Sequence, residues 1–205
     1  MGLAMTGAAV ERPNLTYSLL RAVDRPAHEA VDLARRPFLA TAAPALLGLF
    51  LVSAASALSG LISPAGFRFT ARLDALRAVF EALAVVIPGI LVFATYLRLK
   101  LNARVLLAGI SIGMLGAGLV AVCVLPLMAF LVVVSSEAPE VLALPALLVP
   151  GLALATMAAL PVRVITSLDP SEEALWIARA FAFFLVAVFV LRMQAAFFSL
   201  YSRIW

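Results

Sequence analysis

The side chains best placed to do chemistry in this sequence are the few charged residues that fall inside long apolar runs. Glu81 follows Arg77 in the first turns of one run, and Arg192 lies deeper in another run, with Gln194 nearby. A charged side chain at the centre of a bilayer costs roughly 2.5–3.5 kcal/mol on insertion scales, so such a residue suggests a partner or a function. We expect Glu81 and Arg192 to pair, or to share a polar pocket. The alternative is that Arg192 extends alone to the outer headgroups.

Catalytic and metal chemistry lack their usual groupings of residues. His28, the single histidine, has no partner histidine or cysteine at ligand spacing, and Cys123, the single cysteine, cannot form an intramolecular disulfide. Neither the nucleotide-binding motif G-x-x-x-x-G-K-S/T nor the zinc-binding motif H-E-x-x-H occurs. The sequence therefore predicts no catalytic residue, no metal site and no cofactor, in a protein that is not an enzyme.

The composition places these charges in a membrane protein. Hydrophobic residues make up 65% of the 205 residues, and the mean hydropathy is +1.13, whereas soluble domains contain roughly 45–50% apolar residues. The net charge of +4 comes from basic residues spread over the ends of apolar runs rather than gathered on one face or tail. This pattern indicates membrane topology and contact with lipid, and it argues against a nucleic-acid partner.

Five apolar runs predict an all-α, polytopic transmembrane helical bundle. The predicted spans cover residues 38–62, 76–97, 105–134, 141–160 and 174–201. The third run exceeds the roughly 30 Å of a hydrocarbon core, so its helix must tilt, bend at Pro126 or project from the membrane.

The chain thus divides into a cytoplasmic segment, residues 1–37, and a five-span domain, residues 38–205. Residues 14–36 of the first segment predict an amphipathic helix interrupted near Pro26. Such a helix lies at the membrane surface, docks on a partner or on the protein's own cytoplasmic loops, or remains a solvated segment of mixed charge.

The charges of the short loops predict the orientation. The loop at 98–104 contains three basic residues and no acid, whereas the loop around 137–140 contains two acids and no base. Cytoplasmic loops are enriched in basic residues, so we expect the N-terminus in the cytoplasm and, after five spans, the C-terminus outside. Arg68 and Arg72, in the first loop, oppose this orientation.

Glycines and prolines inside the runs suggest where helices pack. Gly109 and Gly113 form a G-x-x-x-G pair, which allows a second helix to approach closely. That helix could come from the same chain, which we favour, or from another copy. Prolines occur inside most spans, and in transporters interrupted helices build substrate sites. The simpler interpretation is that these prolines only bend the helices.

The layout resembles the bacterial Yip-domain family, the relatives of Ypt-interacting membrane proteins. The resemblance covers roughly residues 35–202: the Arg35-Arg36-Pro37-Phe38 entry to the first span and five closely spaced spans after a polar N-terminal segment. It implies a five-helix bundle with a role in membrane organisation, lipid handling or partner binding, and it implies no catalytic residue.

Two functions of different class follow from these observations. The first is a non-enzymatic integral membrane scaffold, or an accessory subunit of a larger membrane complex, whose partners are lipid and other membrane protein subunits or further copies of the chain. The alternative is a small transporter or permease component with proline-broken spans. In both cases we expect a multi-pass protein of the cell membrane, in a bacterium the inner membrane.

Overall fold

The computed structural model describes residues 21–62, 69–96, 102–134 and 139–204. All regular elements in these ranges are α-helices, which confirms the predicted all-α class. Helical residues 21–24 precede six helices: α1 (Pro26–Ala34), α2 (Phe38–Ile62), α3 (Phe69–Tyr96), α4 (Ala103–Val134), α5 (Pro139–Leu168) and α6 (Glu172–Ile204). Helices α2 to α6 are each long and apolar enough to cross a membrane. The predicted number of apolar spans is therefore confirmed.

The long helices continue through their prolines. Pro44, Pro88 and Pro126 lie inside α2, α3 and α4. A proline removes one backbone donor and frees the carbonyl four residues earlier, a defect that membrane helices tolerate when neighbouring groups compensate.

Two helices extend beyond the predicted spans. Helix α5 does not stop at Leu160 but continues through Pro161 to Leu168, and α3 begins at Phe69, seven residues before the predicted start of its span at residue 76. The physical reason is that hydropathy marks the apolar part of a helix, whereas backbone hydrogen bonding carries the helix on into its polar ends.

Helix α4 is the centre of the bundle. Of the residues in Ala103–Leu127, 72% are buried, whereas only 17% are buried in Phe38–Ala55 of α2. Helix α4 packs between α2 and α5, α5 also packs against α6, and α6 packs against α3. The main core lies where α3 to α6 meet and includes Leu83, Met114, Leu154 and Phe181. Although α2 and α3 are consecutive in the chain, they make few contacts with each other.

One end of the bundle carries α1, and we refer to it as the α1 end. Ala30 and Leu33 of α1 belong to one buried cluster with Ala108 near the start of α4 and Val164 near the end of α5. A second cluster joins the end of α3, the start of α4, the end of α5 and the start of α6. Helix α1, the end of α3, the start of α4, the end of α5 and the start of α6 therefore lie on the same side of the bundle.

A hydrogen bond secures the turn between α1 and α2. The hydroxyl of Thr41, on the second turn of α2, donates to the backbone carbonyl of Leu33 over 2.9 Å, and Thr41 is buried. Carbonyls in the last turn of a helix have no partner within that helix. The Leu33 carbonyl also accepts the backbone N–H of Arg36 over 3.0 Å, so Thr41 is its second donor and holds α1 against the start of α2.

An aspartate followed by a proline predicts that Asp169 is the N-cap of a helix starting at Pro170, but the turn between α5 and α6 differs in detail. Helix α6 begins at Glu172, and the backbone N–H of Ala174 donates to the Ser171 hydroxyl over 3.3 Å, so Ser171 is the N-cap. Asp169 is buried and accepts a hydrogen bond from the backbone N–H of Ser171 over 3.2 Å. Asp169 and Ser171, which are two residues apart, can both cap a helix, and here Asp169 forms the turn while Ser171 caps α6.

Candidate functional site

The structure brings together three charged side chains from two helices. Oε2 of Glu81, on α3, lies 2.8 Å from Nε of Arg192, on α6. The other carboxylate oxygen, Oε1, accepts a hydrogen bond of 2.7 Å from Nε of Arg77, one turn earlier on α3. We call Arg77, Glu81 and Arg192 the charged cluster. Glu81 and Arg192, which the sequence predicts to pair, are in direct contact, and a functional role for the pair stays a prediction.

The charged cluster lies far from the α1 end. Tyr96, Trp176 and Arg179 are exposed near that end, as expected of aromatic and basic residues at a membrane interface. Arg192 follows Arg179 by 13 residues on α6, a distance of about 20 Å at the rise of an α-helix. Glu81 precedes Tyr96 by a similar length of α3. Arg192 is the last residue of the apolar stretch Glu172–Arg192, and Glu81 is close to the first residue of the apolar stretch Val79–Tyr96.

The surface around the charged cluster is apolar. Arg192 has 59% of its side chain exposed and Glu81 has 29%. Their exposed neighbours in the chain are Phe80, Val190 and Leu191. Hence the pair lies at the lipid-facing edge of the α3–α6 interface rather than inside the core. At this edge, the attraction between Glu81 and Arg192 lowers the cost of placing each charge in hydrocarbon.

The predicted packing pair, Gly109 and Gly113, faces α5 of the same chain. A methyl group added to Gly109 would lie 3.3 Å from a side-chain carbon of Val164. One added to Gly113 would lie 2.9 Å from Cδ of Pro161 and 3.0 Å from the carbonyl oxygen of Met157. Met157 precedes Pro161 by four residues, so its carbonyl is the one that the proline frees. Gly113 therefore lets α4 approach α5 at its proline.

Helices α2 and α4 approach each other more closely than α4 and α5 do. A methyl group on Gly118 would lie 2.6 Å from the carbonyl oxygen and 2.9 Å from Cα of Gly48. One on Gly48 would overlap the backbone carbonyl of Met114. Because the opposing atoms belong to backbone, they cannot move aside as a side chain can. Gly48 and Gly118 set the separation of α2 and α4, in the manner of small residues at membrane helix crossings.

Residues 109–113 also match the nucleophile pattern G-x-S-x-G. In hydrolases that serine stands on a strained strand-to-helix turn and needs a base beside it. Ser111 instead lies within α4 and is buried. The single histidine, His28, is on α1, where its Nδ1 lies 3.4 Å from Oδ2 of Asp32 and its side chain is 61% exposed. The pattern here serves helix packing.

His28, Glu29 and Asp32 form a group of possible metal ligands on α1, whose donor atoms all lie within 4.8 Å of one another. A nitrogen and carboxylate set of this kind could hold a divalent cation. However, Nε of Arg21 lies 3.7 Å from Oε2 of Glu29, so Arg21 would compete with a cation for that carboxylate. His28 and Asp32 are an ordinary i,i+4 pair. We assign the group to the charged surface of α1.

A small cavity lies where α3, α4, α5 and α6 meet. Its volume is about 10 Å³, and its lining is apolar, including Ile90, Gly109, Pro161 and Phe181. A cavity needs roughly 10–15 Å³ and several polar partners to hold one water molecule. This cavity therefore offers neither the room nor the hydrogen bonds that a polar ligand requires.

Comparison with protein-family models, curated proteins and solved structures finds no match for the chain. The resemblance to the Yip-domain family therefore stays a prediction. The interpretation of the chain rests on its own residues and their geometry.

Sequence reasoning missed two of the contacts described above. One is the hydrogen bond between Arg77 and Glu81, for which their i,i+4 spacing was a signal. Gly48 was not singled out, because a lone glycine in an apolar run has no spacing partner in its own helix. Only the crossing with α4 shows its role.

Proposed function

We propose that this protein is a non-enzymatic membrane scaffold or accessory subunit, which binds a transmembrane helix of a second membrane protein along α2. The observation that carries the proposal is the low burial of α2, at 17% of the residues in Phe38–Ala55. Phe38, Leu39, Leu46 and Phe50 are exposed on this helix. Helix α2 packs against α4 along one face and keeps the rest of its surface available for another helix.

The arrangement of the neighbouring helices supports this surface as the binding site. Helix α2 packs closely against α4 but makes few contacts with α3. It therefore stands at the edge of the bundle, where a partner helix can reach it without displacing any described element. The α1–α2 turn, held by Thr41, keeps the N-terminal segment beside the same helix. A partner with a cytoplasmic domain would contact both α2 and the α1–α2 turn.

The transport alternative receives less support. It requires broken spans that expose backbone groups to a substrate. Helices α2, α3 and α4 instead run continuously through Pro44, Pro88 and Pro126. The cavity at the junction of four helices is small and apolar. These observations favour a binding role over a conducting one.

We also propose that the α1 end faces the cytoplasm, which leaves the C-terminus outside, and that the membrane is a bacterial inner membrane. Seven arginines are exposed at the α1 end: Arg21, Arg25, Arg35, Arg36, Arg104, Arg163 and Arg179. An excess of basic residues on one side is typical of the cytoplasmic side. In a bacterial host, a C-terminal alkaline phosphatase fusion should be active and a C-terminal green fluorescent protein fusion dark. The reverse pattern would contradict the orientation.

Site-specific photocrosslinking tests the scaffold role. A photoreactive amino acid replaces Phe50 on α2 or, as the matched control, Phe183 on α6; both phenylalanines are 68% exposed. We expect Phe50, in cells, to give one protein adduct of defined mass, whose partner also copurifies stoichiometrically in mild detergent. Phe183 should give lipid adducts or none.

Equal adducts at both positions would indicate random neighbours in the membrane and would contradict the proposal. Lipid adducts alone at Phe50 would also contradict it. A purified protein without a partner that moves a solute into liposomes would replace the scaffold proposal with the transport alternative.

A further inference from the structure

We propose that the charged cluster binds the phosphate group of an anionic phospholipid in the leaflet opposite α1. The proposal does not depend on the scaffold role, since a protein without any partner would hold this lipid equally well. It rests on three observations: the sharing of one carboxylate between two guanidinium groups, the depth of the cluster, and the apolar surface beside it.

Arg192 carries more donors than its contact with Glu81 uses, and 59% of its side chain is exposed. Glu81 uses one oxygen for Arg77 and the other for Arg192. A guanidinium carries five N–H donors in a fixed plane, whereas a carboxylate has about four acceptor positions. Phosphate oxygens match the planar fork of arginine, and the resulting charge-assisted hydrogen bonds are among the strongest in proteins. A phosphate is thus a suitable further acceptor for Arg192.

The position of the charged cluster selects a lipid as the source of that phosphate. Arg192 is the last residue of the apolar stretch Glu172–Arg192 of α6, and thus lies at the end of that stretch farthest from the α1 end. Arg77 is one turn of α3, about 6 Å, nearer to that far surface. An arginine in this region extends towards the headgroups. A headgroup phosphate can meet it there, whereas inorganic phosphate would have to leave water.

The surface beside the charged cluster suits the rest of the lipid. Phe80, Val190 and Leu191 are exposed around Glu81 and Arg192 and can contact the acyl chains. A zwitterionic headgroup brings its own cation close to the two arginines, whereas an anionic headgroup does not. Charge therefore favours an anionic lipid such as phosphatidylglycerol over phosphatidylcholine.

Native mass spectrometry of the full chain in mild detergent tests the proposal. The probes are phosphatidylglycerol and phosphatidylcholine, titrated separately, with inorganic phosphate as a third arm. We expect wild type to retain one phosphatidylglycerol more tightly than phosphatidylcholine, with no competition from inorganic phosphate. Arg192→Gln should weaken this binding roughly fivefold, as expected for the loss of one arginine near a lipid surface.

Glu81→Gln is the second variant, and its expected effect has the opposite sign. Removing the carboxylate frees the Arg192 guanidinium for the phosphate, so retention of phosphatidylglycerol should increase. Arg192→Lys should bind with intermediate strength, because it keeps the charge but loses the planar fork. Each variant is compared with wild type by size-exclusion profile and circular dichroism, so that a folding defect is recognised.

Three results would overturn the proposal. One is equal retention of the two lipids by wild type. Another is unchanged binding in a folded Arg192→Gln variant. The third is weaker phosphatidylglycerol binding in a folded Glu81→Gln variant, since it would mean that the carboxylate itself is needed to hold the lipid.

Discussion

Gly48 of α2 and Gly118 of α4 meet backbone to backbone, with the space for a Cβ on Gly118 lying 2.6 Å from the carbonyl oxygen of Gly48. Alanine at either position would require the two helices to separate. We expect Gly48→Ala and Gly118→Ala each to destabilise the folded protein by about 1–3 kcal/mol, the usual cost of overpacking. The measurement is the free energy of unfolding in detergent micelles.

Two other glycines provide matched controls for that crossing. A methyl group added to Gly89 or Gly151 would meet nothing within 4 Å. Alanine has a helix propensity better than glycine by about 1 kcal/mol, so Gly89→Ala and Gly151→Ala should be neutral or stabilising. Equal losses at all four positions would contradict the role of the Gly48–Gly118 crossing.

The contact between α4 and α5 should show a graded response. Gly113 faces the Pro161 ring and the Met157 carbonyl at 2.9–3.0 Å, whereas Gly109 faces only side-chain carbons of Val164 at 3.3–3.5 Å. We expect Gly113→Ala to cost about 1–2 kcal/mol and Gly109→Ala less than about 1 kcal/mol, since a side chain can adjust where backbone and a proline ring cannot. Thermal denaturation of the two variants in one detergent shows which of them loses more stability. A larger loss at Gly109 would contradict it.

Charge reversal tests the pairing of Glu81 with Arg192. Arg192→Glu places two carboxylates together, and Glu81→Arg gathers three arginines, so each single variant should lose on the order of 2–3 kcal/mol of stability. The double variant restores opposite charges across the 2.8 Å contact and should recover part of the loss. The recovery should be incomplete, because Arg77 then faces an arginine one turn away.

Unfolding of all four proteins in one detergent completes a double-mutant cycle. If the double variant is no more stable than either single variant, Arg192 extends alone to the headgroups. The cycle separates pairing from the lipid site, because the latter is read from lipid retention and not from stability.

The hydrogen bond from Thr41 to Leu33 predicts a local effect on α1. Thr41→Val keeps the shape of the side chain but removes the donor, so the Leu33 carbonyl loses a partner. We expect a loss of about 1 kcal/mol and faster amide hydrogen exchange in residues 26–34 than in wild type. Thr95→Val is the control, because the exposed Thr95 hydroxyl bonds only within its own helix, to Leu91, over 2.7 Å. Unchanged exchange in α1 would mean that its apolar contacts alone hold it.

Much of the fold was predictable because the bilayer restricts it. A chain that spans a membrane must satisfy its backbone hydrogen bonds within each segment, so apolar runs of sufficient length become helices. The same restriction makes Glu81 and Arg192 conspicuous, since a charge in such a run is costly. Helix ends were less predictable: α5 passes Pro161 and ends at Leu168, because hydropathy does not register a helix that continues into the interface.

What the sequence by itself determined was therefore the number of apolar helices and the few polar residues that needed partners. The tertiary structure alone decided that α4 is central, that Gly48 meets Gly118, that α1 packs beside Ala108 and Val164, and that Arg77 shares the Glu81 carboxylate with Arg192. The physical reason is that lipid and protein interior are equally apolar. Hydropathy cannot tell which face of a helix turns inward, and shape complementarity between particular residues makes that choice.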